Sequence, residues 1–195
     1  MLVAAIQAGV VSRVIEPLRL IFIAIAVALY LTLGVCSSVN AKPDLAAEKV
    51  KVEKVIRASI EWAMNKDIAL LYRSFANDST LFWFSPDNAG TIRGFDAFKQ
   101  QVEQIFMNPA FKAVGSEFKD LDVHFSRSGD VAWYACILND RNTWNGQPAN
   151  WENVRWTGVL EKRDGNWVIV QMHFSYSEEN MLKRMQGGQP PPIAE

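Results

Sequence analysis

Few side chains in this sequence of 195 residues are suited to acid–base, nucleophilic or metal chemistry: two histidines, His124 and His173, and two cysteines, Cys36 and Cys136. His173 lies near the end of the apolar-rich run from Trp167 to Phe174. A two-residue Asp164-Gly165 turn pairs Lys162 with Trp167, and by counting back it pairs Trp156 with His173, with Gln171 on their face. A histidine beside Trp156 and Gln171 can act as general base or hydrogen-bond a ligand. The competing reading is a buried histidine, satisfied by its neighbours, that closes the end of a sheet. The same count sends Arg155, in Val154-Arg155-Trp156, to the opposite face. A guanidinium there needs an acidic partner, Asp140 or Glu152, or a ligand carboxylate, because an unpaired buried charge is costly. That face favours an ion pair at a dimer interface over a role in a pocket.

Other chemistries find little support. Cys136 sits in Val131-Ala132-Trp133-Tyr134-Ala135-Cys136-Ile137-Leu138, the setting of a buried structural thiol rather than a nucleophile. The histidines and cysteines have no metal-ligand spacing, so no metal and no cofactor are expected. There is no phosphate-cradling glycine loop and no nucleophile elbow. Twenty basic against 21 acidic residues leave a net charge of -1. That balance lacks the basic excess that drives binding to nucleic acid.

Aromatic residues are the richer signal. All seven tryptophans come after residue 61. Trp62, Tyr72, Trp83, Tyr134 and Trp156, with Gln171, are candidate lining for a pocket that takes a small apolar or aromatic molecule. Core packing explains the same residues. Trp144 and Trp151 flank Asn145-Gly146-Gln147-Pro148 and are candidates to cover a pocket mouth or a partner surface.

These side chains need a scaffold, and the hydrophobic periodicity supplies one. Asp44 caps a helix from about Leu45 to Met64, with Val52, Val55, Ile56, Ile60 and Ala63 on one stripe. Asn65-Lys66-Asp67 interrupts it before a short second helix with Ile68, Leu71, Tyr72 and Phe75. Leu81 to Phe84 reads as a compact strand, ended by Ser85-Pro86-Asp87-Asn88. Gly94 opens a third helix with Phe95, Phe98, Val102, Ile105 and Phe106 on one face, stopped at Asn108-Pro109. Beyond it the period becomes two: Leu121, Val123 and Phe125, then Val131 to Asp140, a loop from Asn142 to Asn150, Trp151 to Lys162, and Trp167 to Phe174. Three helices succeeded by long antiparallel strands make an α+β fold, a curved sheet wrapped over N-terminal helices.

Outside that scaffold lie two segments of different character. Leu20 to Val35 is uncharged, comes after Arg13 and Arg19, and leads to Val39 and Ala41, a secretory-signal pattern with cleavage before Lys42. The alternatives are an uncleaved membrane anchor, the run being just shorter than a spanning helix, and a lipid attached to Cys36. The expectation is an exported protein, periplasmic or secreted. The Gly187-Gly188-Gln189-Pro190-Pro191-Pro192 stretch reads as a disordered tail over 187–195.

Several short motifs, in order, carry a resemblance: Asn65-Lys66-Asp67, then Phe75-Ala76-Asn77-Asp78, Ile92-Arg93-Gly94, Ser128-Gly129-Asp130-Val131-Ala132, Gly165-Asn166-Trp167-Val168-Ile169 and His173-Phe174-Ser175. The domain from 42 to 186 resembles the nuclear transport factor 2-like superfamily, nearest its SnoaL-like branch. The resemblance implies a cone-shaped domain with a pocket between sheet and helices, a pocket-facing His173, and frequent homodimers through the sheet. It does not fix an activity, since this fold carries enzymes and non-catalytic binders alike. Matched to the ketosteroid isomerases of the superfamily, Ser59, Ser85 and Thr157 or Gly158 stand where acid–base residues would be needed. Steroid-isomerase chemistry is therefore not expected. Three readings remain: a non-catalytic binder of a small apolar molecule, an isomerase, lyase or hydrolase using His173 with Tyr72 or Tyr134 as donor, and a structural dimer whose own aromatics fill its pocket.

Overall fold

A computed structural model describes residues 44–86 and 90–186. The leader over 1–41 with Cys36, Asp87 and Asn88, and the tail over 187–195 lie outside the described residues. Helix α1 (Leu45–Glu61) starts where Asp44 accepts hydrogen bonds from the Ala46 and Ala47 amides, and it buries Glu48, Val52, Ile56 and Ser59. A 3-10 turn (Trp62–Met64) leads to α2 (Ile68–Arg73), capped by Asp67. Strands β1 (Phe82–Phe84) and β2 (Ile92–Arg93) precede α3 (Phe95–Gln101), which continues as a π-helical segment, Val102–Phe106.

The long strands come next: β3 (Phe111–Phe125), β4 (Val131–Trp144), the short β5 (Gln147–Pro148), β6 (Trp151–Arg163) and β7 (Asn166–Ser175), then helix α4 (Glu178–Gln186). The sheet runs β2-β1-β7-β6-β4-β3, with β5 added to β4. The α+β reading of a curved sheet with N-terminal helices holds. The sheet is mixed rather than purely antiparallel, because β1 runs parallel to β7.

Register shifts bend the long strands of this sheet. On β3 the extra residues fall between Ala113 and Gly115 and between Lys119 and Asp122, where Asp120 has φ 53°. On β6 the irregularity opposite Leu138 and Asp140 holds Asn153 at φ 52°, with its amide donating to the Asn139 side chain at 2.7 Å. An extra residue bends its strand and raises local twist, so repeated bulges curl the sheet around the helices. The core sits in the resulting concavity, where Val52, Ile56, Phe75, Phe98, Leu138, Trp156 and Phe174 are almost fully buried.

Two anchors tie helices and loops to strands. Glu48 of α1 accepts from Trp167 Nε1 at 2.6 Å and pairs with Lys162 at 2.9 Å and Lys51 at 2.8 Å. These three donors, Lys51 foremost, hold the buried carboxyl down at about 2. Arg163 bonds Asp78 and Thr80, fastening the β6–β7 hairpin to the loop before β1.

The Asp164-Gly165 hairpin forms as read, with both residues at positive φ and Lys162 opposite Trp167. The count fails further along. Leu160 pairs with Ile169 but Val159 pairs with Gln171, so Val170 is an extra residue on β7. Past that bulge every side chain of β7 changes face. Trp156 consequently faces Phe174, and His173 faces Thr157.

Candidate functional site

Strand β4 decides what the concave face offers. Its inward residues are Ala132, Tyr134, Cys136 and Leu138, all buried, and Asp140 and Asn142 continue the same alternation. The first four close the floor of the core; the last two bring a carboxyl and an amide to its open end. Facing them are the turn after α1, which presents Trp62 and Ala63, and the π-helical segment, which presents Val102, Ile105 and Phe106. The π-type bond from the Met107 amide to the Val102 carbonyl, 2.8 Å, swells the helix at this point. Such insertions recur at functional sites because they re-aim side chains.

Between these elements lies a cavity of about 100 Å³. Trp62, Trp83, Trp151, Phe106, Phe111 and Phe174 give it aromatic walls. Trp83 stacks against Phe106 at 6.1 Å, and Trp151 meets Phe174 edge-on at 5.2 Å. Its polar lining is short: Ser59, Ser85, Gln101, Asp140 and Asn142. No lysine, arginine or histidine lines it among the described residues.

Asp140 is the one ionisable carboxyl among the described lining residues. Burial pushes it up to about 6, against a hydrogen bond from Asn142 and the nearby charge of Arg141, both of which pull it down. Asn142 Nδ2 donates to Asp140 Oδ2 at 2.9 Å. Asn142 is buried, its backbone amide donates to the Asn150 side chain at 3.0 Å, and its Oδ1 has no hydrogen-bond partner among the described residues. Trp83 Nε1 is likewise buried without an acceptor among them.

The candidates from sequence divide sharply. Trp62 and Trp83 line the cavity. Trp156 is fully buried one layer deeper, stacked on Phe174 at 5.4 Å, and Tyr134 packs edge-on against it at 5.0 Å. Tyr72 packs on Phe95 at 5.2 Å, away from the cavity. His173 and Gln171 are corrections. The Val170 bulge turns both to the outer face of the sheet, where the His173 ring meets Phe84 edge-on at 5.4 Å. Tyr134 faces inward and therefore cannot partner His173. Arg155 is corrected too: it shares the outer face with His173, and it is exposed rather than buried. Neither Asp140, which faces inward, nor Glu152 pairs with it among the described residues.

Asp140 and Asn142 escape the sequence reading as cavity residues, because the alternating pattern ends β4 at Asp140 and assigns Asn142 to Asn150 to a loop. The strand runs on to Trp144, and Asn145-Gly146, both at positive φ, turns it into β5. The Asn-Gly dipeptide is the signal that could have found them. Cys136 is the inert thiol expected: it is buried, and desolvation pushes it up to about 12.

Comparison with known proteins agrees with this architecture. No curated protein matches the chain by sequence. Among solved structures, a nuclear transport factor 2-like protein of unknown function from Pseudomonas putida KT2440 is similar at 20% identity, over 69% of this chain and 92% of that one, with a TM-score of 0.53. The hexachlorocyclohexane dehydrochlorinase LinA-type3 of Novosphingobium barchaimii LL02 superposes with a TM-score of 0.55 at 16% identity, over 68% of this chain and 90% of that one. The association domain of C. elegans CaMKII gives 0.50 at 19%, over 67% and 97%. At these identities the likeness is one of fold. The model of the SnoaL-like domain matches residues 52–178, the span that builds both the sheet and the cavity, and the chain belongs to that family.

Proposed function

We propose that this domain binds a small, mostly apolar molecule in its aromatic cavity and meets the molecule's polar group with Asp140 and Asn142. One observation carries the reading: an apolar cavity of about 100 Å³ is left open, with an ionisable carboxyl on its wall. Pockets for small ligands combine aromatic walls with few, placed polar groups. An apolar cavity of roughly 150 Å³ admits a benzene-sized molecule, so this smaller one limits the ligand to a single ring at most. The open volume also weighs against a pocket filled by its own aromatics. Titration with toluene, monitored by the fluorescence of Trp62, Trp83 and Trp151, tests it. Saturable quenching supports binding, and no response up to toluene's solubility rejects it.

An enzymatic reading has its own support. A carboxyl whose pKa is pushed up to about 6 is poised to take and return a proton near neutral pH. The base of an isomerase, lyase or hydrolase would then be Asp140 in place of His173. One protein of similar fold is named a hexachlorocyclohexane dehydrochlorinase.

The same reading takes the protein to be exported and to form a homodimer through the outer face of its sheet. That face carries Trp133 and Phe84, 46% and 43% exposed, beside the exposed Arg155. Arg155→Glu is expected to shift the sedimentation profile from dimer to monomer. A wild-type protein that sediments as a monomer removes the dimer.

A further inference from the structure

The polar end of the cavity is unbalanced. Asp140 Oδ2 accepts from Asn142 Nδ2, while Asp140 Oδ1 has no partner among the described residues. Asn142 Oδ1 has none among them either, but it is closed off from the cavity. One carboxyl oxygen, Asp140 Oδ1, is therefore left without a donor, and no cationic side chain among the described lining residues supplies one. Arg141 is the next residue on β4, but alternation points it to the outer face, where it is exposed. A carboxylate that burial keeps from water, with Arg141 acting only from the outer face, is costly to ionise, and a hydrogen-bonded cation in the cavity removes that cost. Trp151 pairs with Asp140 across β4 and β6 and lines the cavity with its ring. Aromatic faces attract a cation, most strongly when water is excluded.

We infer that the Asp140–Asn142 end of the cavity selects ligands with a positively charged, hydrogen-bond-donating head, an ammonium group on a small aromatic or aliphatic body. The inference rests on the cavity being a binding site and adds the chemical class of what binds there. An ammonium carries three donors and no acceptor. One of them satisfies Asp140 Oδ1, and the apolar body fills the space between Trp62, Trp83 and Phe106. A carboxylate head of the same size meets the like charge of Asp140 instead and is rejected. The other donors at the wall, the Gln101 amide and the Ser59 and Ser85 hydroxyls, are neutral and cannot offset that repulsion.

The test is a matched set of probes on the full chain at pH 7.5: toluene, benzyl alcohol, benzylamine and benzoate, each titrated against tryptophan fluorescence. Benzylamine is expected to bind at least tenfold more tightly than toluene, benzyl alcohol between the two, and benzoate at least tenfold more weakly than toluene. In Asp140→Asn the amine is expected to lose its advantage over toluene. Equal binding of benzylamine and toluene by the wild-type protein overturns the inference and leaves the cavity reading standing. So does benzoate binding as tightly as the amine. If none of the four probes binds, the cavity reading itself fails, and the inference with it.

Discussion

Replacing Asp140 by asparagine should make the protein more stable, and only at neutral or alkaline pH. The carboxyl belongs at about 3.8 and is pushed up to about 6 by burial. The native state therefore binds a proton more tightly than the unfolded chain between these values, and native stability falls as pH rises through that window. A difference of about two units, at about 1.4 kcal/mol each, amounts to about 3 kcal/mol once both states are ionised. Asparagine keeps the acceptor for Asn142 Nδ2. The substitution thus removes a buried charge without opening a hole. Urea unfolding should give a midpoint for Asp140→Asn about 1–3 M above wild type at pH 8, for a slope of about 1–3 kcal/mol per molar. At pH 4 the gain should fall below about 1 kcal/mol, because Asp140 is protonated in the folded state and half protonated in the unfolded one. A gain that does not change with pH, or a loss at pH 8, would refute the idea that Asp140 is held uncompensated in the empty cavity. Proteins keep such destabilising groups where function needs them.

Other expectations rest on particular contacts. Glu48→Gln should cost about 2–3 kcal/mol at pH 7, since two lysines and the Trp167 indole lose their anion. Because that carboxyl is held down at about 2, its contribution is present above the ordinary carboxylate range and disappears as pH falls from about 4.5 toward 2, which acid titration of both proteins measures. Gly158→Ala should destabilise by about 1–3 kcal/mol, since an added Cβ would sit 2.6 Å from Tyr134 Oη and 2.7 Å from the Gln171 carbonyl; a thermal melt unchanged from wild type would contradict the packing. Ala63→Leu, on the cavity wall, should weaken toluene binding at least tenfold while leaving the melting temperature equal or higher, as expected when a void is filled rather than a core overpacked.

What the sequence makes legible depends on the range of the interaction. Local chemistry reads well. Asp44 caps its helix, and Asp164-Gly165 sets a two-residue hairpin, because each depends on residues within one turn of chain. Motif order locates the family. The face of His173 does not read, since one bulged residue at Val170 inverts alternation for the rest of β7 and nothing in the local sequence announces it. Arg155 misreads for the same reason, being set against a histidine on the wrong side. Asp140 and Asn142 read as a strand end and a loop because polar residues normally mark exits from a sheet. Here they continue the inward row of Tyr134, Cys136 and Leu138 and bring a charge to the cavity. A carboxyl in an apolar row looks like an error of assignment until a cavity is found beside it.

If the concavity between β4, the π-helical segment and the turn after α1 is a ligand site, the tryptophan indole N–H resonances will report on it. Trp62, Trp83 and Trp151 line the cavity, whereas Trp133 lies on the outer face and Trp167 is tied to Glu48. Titrated with benzylamine, the first three resonances are expected to shift together and saturate, with Trp133 and Trp167 unmoved. Shifts confined to Trp133, or no saturable shift at any of the three, would show that the ligand does not enter the concavity.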